Sequence, residues 1–192
     1  PDLILTQSLC EVCALDYIQV VAAARSLPHA PQILSLNPHT LSELLDDVLR
    51  IGAATHQNAA AANLVHNFKQ RIQTVAGRTP AQRPRVVCLE WFEPLYIAGH
   101  WVPEVVGLAG GEDVLGRAGV ARARVEWRSV LEAKPEALLL MPCGFDLRRT
   151  VREAAPFRAA EGLLAERAVQ RDPQAPVAAE RRPERVLLIV PA

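Results

Sequence analysis

Few residues of this chain are spaced for chemistry. Cys10 and Cys13 form a C-x-x-C, which suits a redox pair or half of a zinc site. Zinc needs two more ligands, and no second C-x-x-C or H-x-x-x-H follows. A redox pair should open a helix after a strand, as this one roughly does. Glu11 and Val12, however, stand where thioredoxin-type pairs usually carry Pro or Gly. The alternative is a pair of structural thiols. Glu90 and Glu93 offer two carboxylates without an obvious proton partner. His29, His39, His56, His66 and His100 are scattered. His56 and His66 share a helical segment at opposed registers and cannot hold one metal, and they read as solvent-exposed. His100 alone stands in an aromatic loop, as a ligand contact or an axial donor to a bound metal group. No G-x-S-x-G, phosphate-binding Gly loop or dinucleotide fingerprint is present.

The stronger signal is aromatic. Of nine aromatic residues, four (Trp91, Phe92, Tyr96 and Trp101) fall between 91 and 101. Such a cluster can wall a pocket for a large, partly apolar ligand, because flat rings add contact area at little entropy cost. It can equally plug the end of a core. Pro94, Gly99 and Pro103 in the same stretch indicate a shaped backbone and favour the pocket.

Elements must position that loop. Residues 2–7 read as a buried strand and 11–26 as a helix broken by Pro28 and Pro31. Residues 32–36 read as a strand, and a helix capped by Thr40 or Ser42 follows. This strand–helix–strand–helix order predicts a parallel sheet covered by helices. Residues 53–76 hold neither Pro nor Gly and predict one helix about 36 Å long. Past a Pro-marked connection the pattern repeats: a strand at 85–90, the aromatic loop, helices at 102–109 and 128–133, a strand at 135–141 and a helix from 147. In an open α/β sheet, ligands sit at the carboxyl ends of the strands. Gln7, the 91–101 loop and Cys143–Asp146 all leave such ends.

Composition agrees with a packed α/β chain. It has 192 residues, half of them hydrophobic, and a formal net charge of zero. Zero charge provides no general attraction to nucleic acid or anionic membranes. No apolar run of about 18 residues predicts a membrane span. Basic charge rests on 19 Arg and two Lys, a coding bias without functional content. The tail, 155–192, carries five of the 15 Pro and reads as divergent and poorly ordered, with a possible strand at 186–190.

Several pieces together resemble a known family. They are Pro1–Leu5, the long helix, Arg85–Glu90, Trp101–Val106 with Leu108–Gly111, Trp127–Leu131 and Lys134–Leu138. In these the chain resembles the cobalamin and iron-siderophore class of periplasmic binding proteins, the substrate-binding components of ABC importers. The Cys-containing pieces T-Q-x-x-C-E-V-C-A, C-L-E-W and M-P-C-G-F-D narrow this to proteins that bind cobalamin. The resemblance covers about residues 1–153 and implies an α/β fold of class III. Two Rossmann-like lobes would be joined by a backbone helix, with the N-terminal lobe and the C-terminal end incomplete here. The implied division is an N-terminal lobe remnant at 1–52, the helix at 53–77, a C-terminal lobe at 78–154 and the tail.

The resemblance further implies a binding protein, not an enzyme, without resident cofactor or metal. Cobalamin or a related chelate would be the cargo, held between the lobes by Gln7, Trp91, Phe92, Tyr96, His100, Trp101 and Phe145. A membrane permease would be its partner, nucleic acid would not, and the protein would be monomeric. It would be periplasmic or lipid-anchored outside the cytoplasmic membrane, although this chain itself shows no signal peptide. The family meets its permease through a surface Glu on each lobe, and here the C-lobe position falls at Arg128. The alternatives are a truncated non-functional homologue, or a small-molecule α/β enzyme using Glu90 and Glu93 or Cys10 and Cys13.

Overall fold

The chain is described from a computed structural model, which covers residues 1–9, 17–78, 82–160 and 186–189. Cys10 and Cys13 lie outside the described residues. The chain divides into two compact units, Pro1–Arg78 and Thr79–Ala192.

In the first unit, β1 (Leu3–Gln7) and β2 (Gln32–Leu36) pair in parallel, with Leu3 opposite Gln32 and Gln7 opposite Leu36. A parallel pair needs a crossover, and α1 (Tyr17–Arg25) lies within it. Helix α2 (Leu41–Ala54) starts at a complete capping box. Thr40 Oγ1 accepts the Glu43 N–H at 3.2 Å, and Glu43 Oε2 accepts the Thr40 N–H at 3.2 Å.

The predicted single helix over 53–76 is two pieces. Helix α2 runs on to Ala54, and α3 (Asn58–Ala76) begins after a turn at 55–57. His56 takes the left-handed φ of 57°, and the Gln57 N–H donates to the Gly52 carbonyl at 2.7 Å. The break has a packing cause. Gly52 lies so close to α3 that a Cβ there would overlap that of Ala61. Helix α3 is therefore about 28 Å long rather than 36, and it belongs to the first unit.

The second unit is built on β3 (Arg85–Phe92). Around it stand β4 (Leu95–Ile97), β5 (Glu112–Asp113), β6 (Ala123–Arg124), β7 (Ala137–Leu140) and β8 (Val186–Ile189). Among the described residues the strand order is β6-β4-β3-β7-β8, with β5 also on β3. Strands β7 and β8 run parallel to β3, whereas β4 returns antiparallel as a hairpin. Side chains alternate along β3. Val87 and Leu89 join Ile97, Val130, Leu138 and Leu140 in one core layer, and Val86 and Cys88 join Ala98 and Val106 in the other. Helices α4 (Val102–Leu108), α5 (Trp127–Glu132) and α6 (Leu147–Ala160) complete the unit.

Two stretches of the tail take regular structure, one of them the strand read at 186–190. Helix α6 continues to Ala160, and β8 extends the sheet with Leu138 opposite Leu187. Among the described residues no helix is long and apolar enough to cross a membrane.

Candidate functional site

The stretch 91–101 is not a free loop. Trp91 and Phe92 end β3, the chain turns at Glu93 and the cis-linked Pro94, and Tyr96 is central in β4. A register shift between Leu89 and Trp91 leaves Glu90 as an extra residue in β3. Such a bulge swaps the faces of whatever follows. Trp91 would otherwise continue the inward row of Val87 and Leu89. Instead Phe92 takes that place opposite Leu95, and Trp91 pairs with Tyr96 and packs, half-buried, against the same core cluster.

The carboxyl ends of β3 and β7 bring a third ring to this place. The Met141 N–H donates to the Leu89 carbonyl at 2.9 Å and the Cys143 N–H to that of Glu90 at 3.3 Å, so the chain leaving β7 runs beside β3. Phe145 meets Trp91 edge-on with centroids 5.2 Å apart, and Phe92 with centroids 6.2 Å apart. Two guanidinium groups cover these rings. Arg149 lies 3.6 Å over Phe145, and Arg122 lies 5.0 Å over Tyr96. The Trp91 Nε1–H donates to the Glu93 carbonyl at 2.9 Å and stiffens the hairpin end.

The sequence-predicted residues separate into groups. Trp91, Phe92 and Phe145 come together, and Tyr96 stands opposite Trp91. Phe92 and Phe145 are 7% and 8% exposed and belong mainly to the core, whereas Trp91, Tyr96 and Trp101 are half-buried. His100 is buried with a left-handed φ of 54°. Its backbone is fixed to the 119–120 segment, and its ring lies 6.0 Å from that of Trp101. Gln7 ends β1 in the first unit, where its Oε1 accepts the Leu9 N–H at 2.7 Å.

Beside the hairpin opens a cavity of about 640 Å³. Phe92, Pro94, Leu95, Val125 and Trp127 give it apolar walls, and Glu93, Arg124 and Glu126 give it charged ones. Arg122, Arg124 and Arg149 are not candidates from the sequence, and Trp127 enters there only within the family-like piece Trp127–Leu131. Trp127 carried a signal as one of three Trp, whereas the arginines carried none, because their rings are 26 (Arg122 to Tyr96) and four (Arg149 to Phe145) positions away in sequence.

Buried polar groups lie on the opposite layer of β3. Burial, then the Asp113 and Glu90 charges, push the Cys88 thiol up to about 12. It stays protonated and hydrogen-bonds the Asp113 carboxylate. Burial also raises Asp113, against N–H donors from Gly116 and Leu115. Burial raises Glu90, opposed by the Arg122 charge and the Gly99 N–H. Glu93 is exposed at the hairpin end, so the two carboxylates sit in different environments. Among the described residues no three His, Cys, Asp or Glu gather as metal ligands. Arg128 is exposed and paired with Glu132 at 2.8 Å.

The second unit is thus a mixed sheet with aromatic residues gathered at the carboxyl ends of β3 and β7. The family model for periplasmic binding proteins matches residues 16–173. The chain belongs to this family. Among solved structures, an ABC transporter substrate-binding protein from Listeria monocytogenes EGD-e superposes with a TM-score of 0.68 at 18% identity, covering 84% of this chain and 61% of its own. The periplasmic vitamin B12 binding protein BtuF of Vibrio cholerae gives 0.55 at 22%, covering 83% and 60%. The periplasmic heme binding protein HutB of Vibrio cholerae gives 0.58 at 20%, covering 83% and 63%. These likenesses show the class III periplasmic binding fold, and the chain spans about six-tenths of each relative's length. No curated protein matches the chain.

Proposed function

We propose that the chain is the substrate-binding component of an ABC importer and that its cargo is cobalamin or a related large metal chelate. The observation that carries this is the half-buried pair Trp91 and Tyr96 at the end of β3, with Phe145 edge-on to Trp91; of the candidate ligand residues, Phe92 lines the cavity of about 640 Å³ beside the hairpin. Half-buried rings held rigidly on strands, as Trp91 and Tyr96 are, suit a broad, flat guest with apolar edges. Vitamin B12 and heme, the ligands named for two structural relatives, share such a metal-centred ring.

In this reading Gln7, Trp91, Phe92, Tyr96, His100, Trp101 and Phe145 serve the ligand. The chain performs no chemistry on the cargo. It works outside the cytoplasmic membrane as a monomer and delivers to a membrane permease. Arg128, where the family resemblance implies an acidic docking residue, calls for an acidic residue on that permease.

Equilibrium dialysis against cyanocobalamin and against hemin tests the proposal. The expected result is saturable binding of one chelate at one site per chain. Absence of saturable binding for both defeats it.

A further inference from the structure

We propose that Arg149 sets the charge of the cargo: its guanidinium, lying over the ring of Phe145 with its donors unspent, selects a chelate that carries a peripheral carboxylate over one whose arms are neutral amides. The proposal rests on the ligand-binding reading and deepens it by naming what the ligand presents beside its ring.

The first observation is placement. The Arg149 guanidinium lies 3.6 Å over the Phe145 ring, and Phe145 meets Trp91 with centroids 5.2 Å apart. One ring therefore separates a full positive charge from the half-buried indole at the end of β3. A broad guest seated on Trp91 turns its rim, where its arms branch, toward that charge.

The second is that this charge has no counter-ion. Among the described residues no carboxylate pairs with the Arg149 side chain, and its N–H groups have no acceptor. Two acids stand within helical reach, and both are engaged elsewhere. Asp146 Oδ1 accepts the backbone N–H of Arg149 at 2.7 Å at the start of α6. Glu153 pairs with Arg152 at 3.4 Å. By contrast, Arg50 and Arg128 find their acids within their own helices.

The third is that helix stability does not account for the charge. Arg148, Arg149 and Arg152 fall in the first six residues of α6, and its first turn holds no acid. A helix start favours acids and disfavours cations, because its free N–H groups carry positive charge. The chemistry then points to one kind of partner. A guanidinium backed by a ring has its plane held, and its in-plane donors match the paired oxygens of a carboxylate. An amide arm offers one acceptor oxygen, no charge and two N–H groups of its own.

The test uses the full 192-residue chain and two matched pairs of probes. One pair is hemin and its bis-propionamide. The other is cyanocobalamin and the monocarboxylic acids made by hydrolysing one of its propionamide arms. Within a pair the metal and ring are the same, and only the arm changes. In equilibrium dialysis, wild type is expected to favour the acid member by about tenfold. The preference should shrink as salt rises. R149Q should fold, since Arg149 is exposed, and should bind both members alike. R149K keeps a point charge without the planar fork and should retain only part of the preference. An arginine with a purely structural role would weaken both members equally and leave the preference intact. If wild type binds neither pair, the ligand reading fails and the proposal falls with it. If wild type binds without favouring the acid, or the preference survives in R149Q, the proposal is overturned and the ligand reading stands. The wild-type comparison needs no variant, so it decides the matter even where R149Q fails to fold.

Discussion

The thiols of the second unit show how environment rather than residue type sets reactivity. Cys88 is buried against two carboxylates and titrates near 12, whereas Cys143 is exposed on the segment leaving β7. The thiolate is the nucleophile, so Cys88 is inert in the fold. Iodoacetamide at mild alkaline pH, followed by peptide mass mapping, is expected to label Cys143 and to reach Cys88 only after denaturation. Labelling of both at equal rates would contradict the burial. The carboxylates carry a stability consequence with a definite sign. Burial raises Glu90 and Asp113, so the folded state holds their protons more tightly than the unfolded chain does. Their contribution is full below the ordinary carboxylate range and is lost as pH rises through the raised folded values. The stability of E90Q relative to wild type is therefore expected to rise as pH rises above the ordinary carboxylate range, measured by urea unfolding. A difference that falls with pH would reverse the sign. None of this was legible from the sequence, where Glu90 and Glu93 looked like a pair. The bulge puts one among buried groups and leaves the other at the hairpin end.

The elements were readable where local signals set them. Thr40 and Glu43 announce the start of α2, and both halves of that capping box form. The end of α2 was not readable, because Thr55, His56 and Gln57 are ordinary helix residues by propensity. What ends the helix is the approach of Gly52 to Ala61, a contact made only when α2 folds back on α3. G52A is therefore expected to cost about 1–3 kcal/mol by overpacking, read from urea unfolding, with much of the loss recovered in G52A/A61G. Equal stability of G52A and wild type would show that the helices can separate without cost. The aromatic stretch failed for a similar reason. Pro94 and the broken alternation read as a loop, yet a two-residue turn and a bulge make it a hairpin. That hairpin sends Phe92 into the core and leaves Trp91 and Tyr96 half-exposed, so the expected aromatic wall is partly core and partly surface.

For the whole molecule, the repeated strand–helix order predicted two α/β units, and the chain divides at Arg78. Family membership follows from a match across residues 16–173. The ligand is the finer matter. Vitamin B12 and heme binders share this fold at about 20% identity, so the cargo rests on chemistry at the strand ends rather than on descent. Trp91 reports there directly, because its indole touches Phe145 and faces Tyr96. The most direct measurement is fluorescence titration of a W101F/W127F variant, which keeps Trp91 as its one indole, with cyanocobalamin and with hemin. Saturable quenching by one of them, weakened when Tyr96→Ala is added, is the expected result. Emission from Trp91 that ignores both chelates, corrected for their absorbance, would contradict a ligand seat at the ends of β3 and β7.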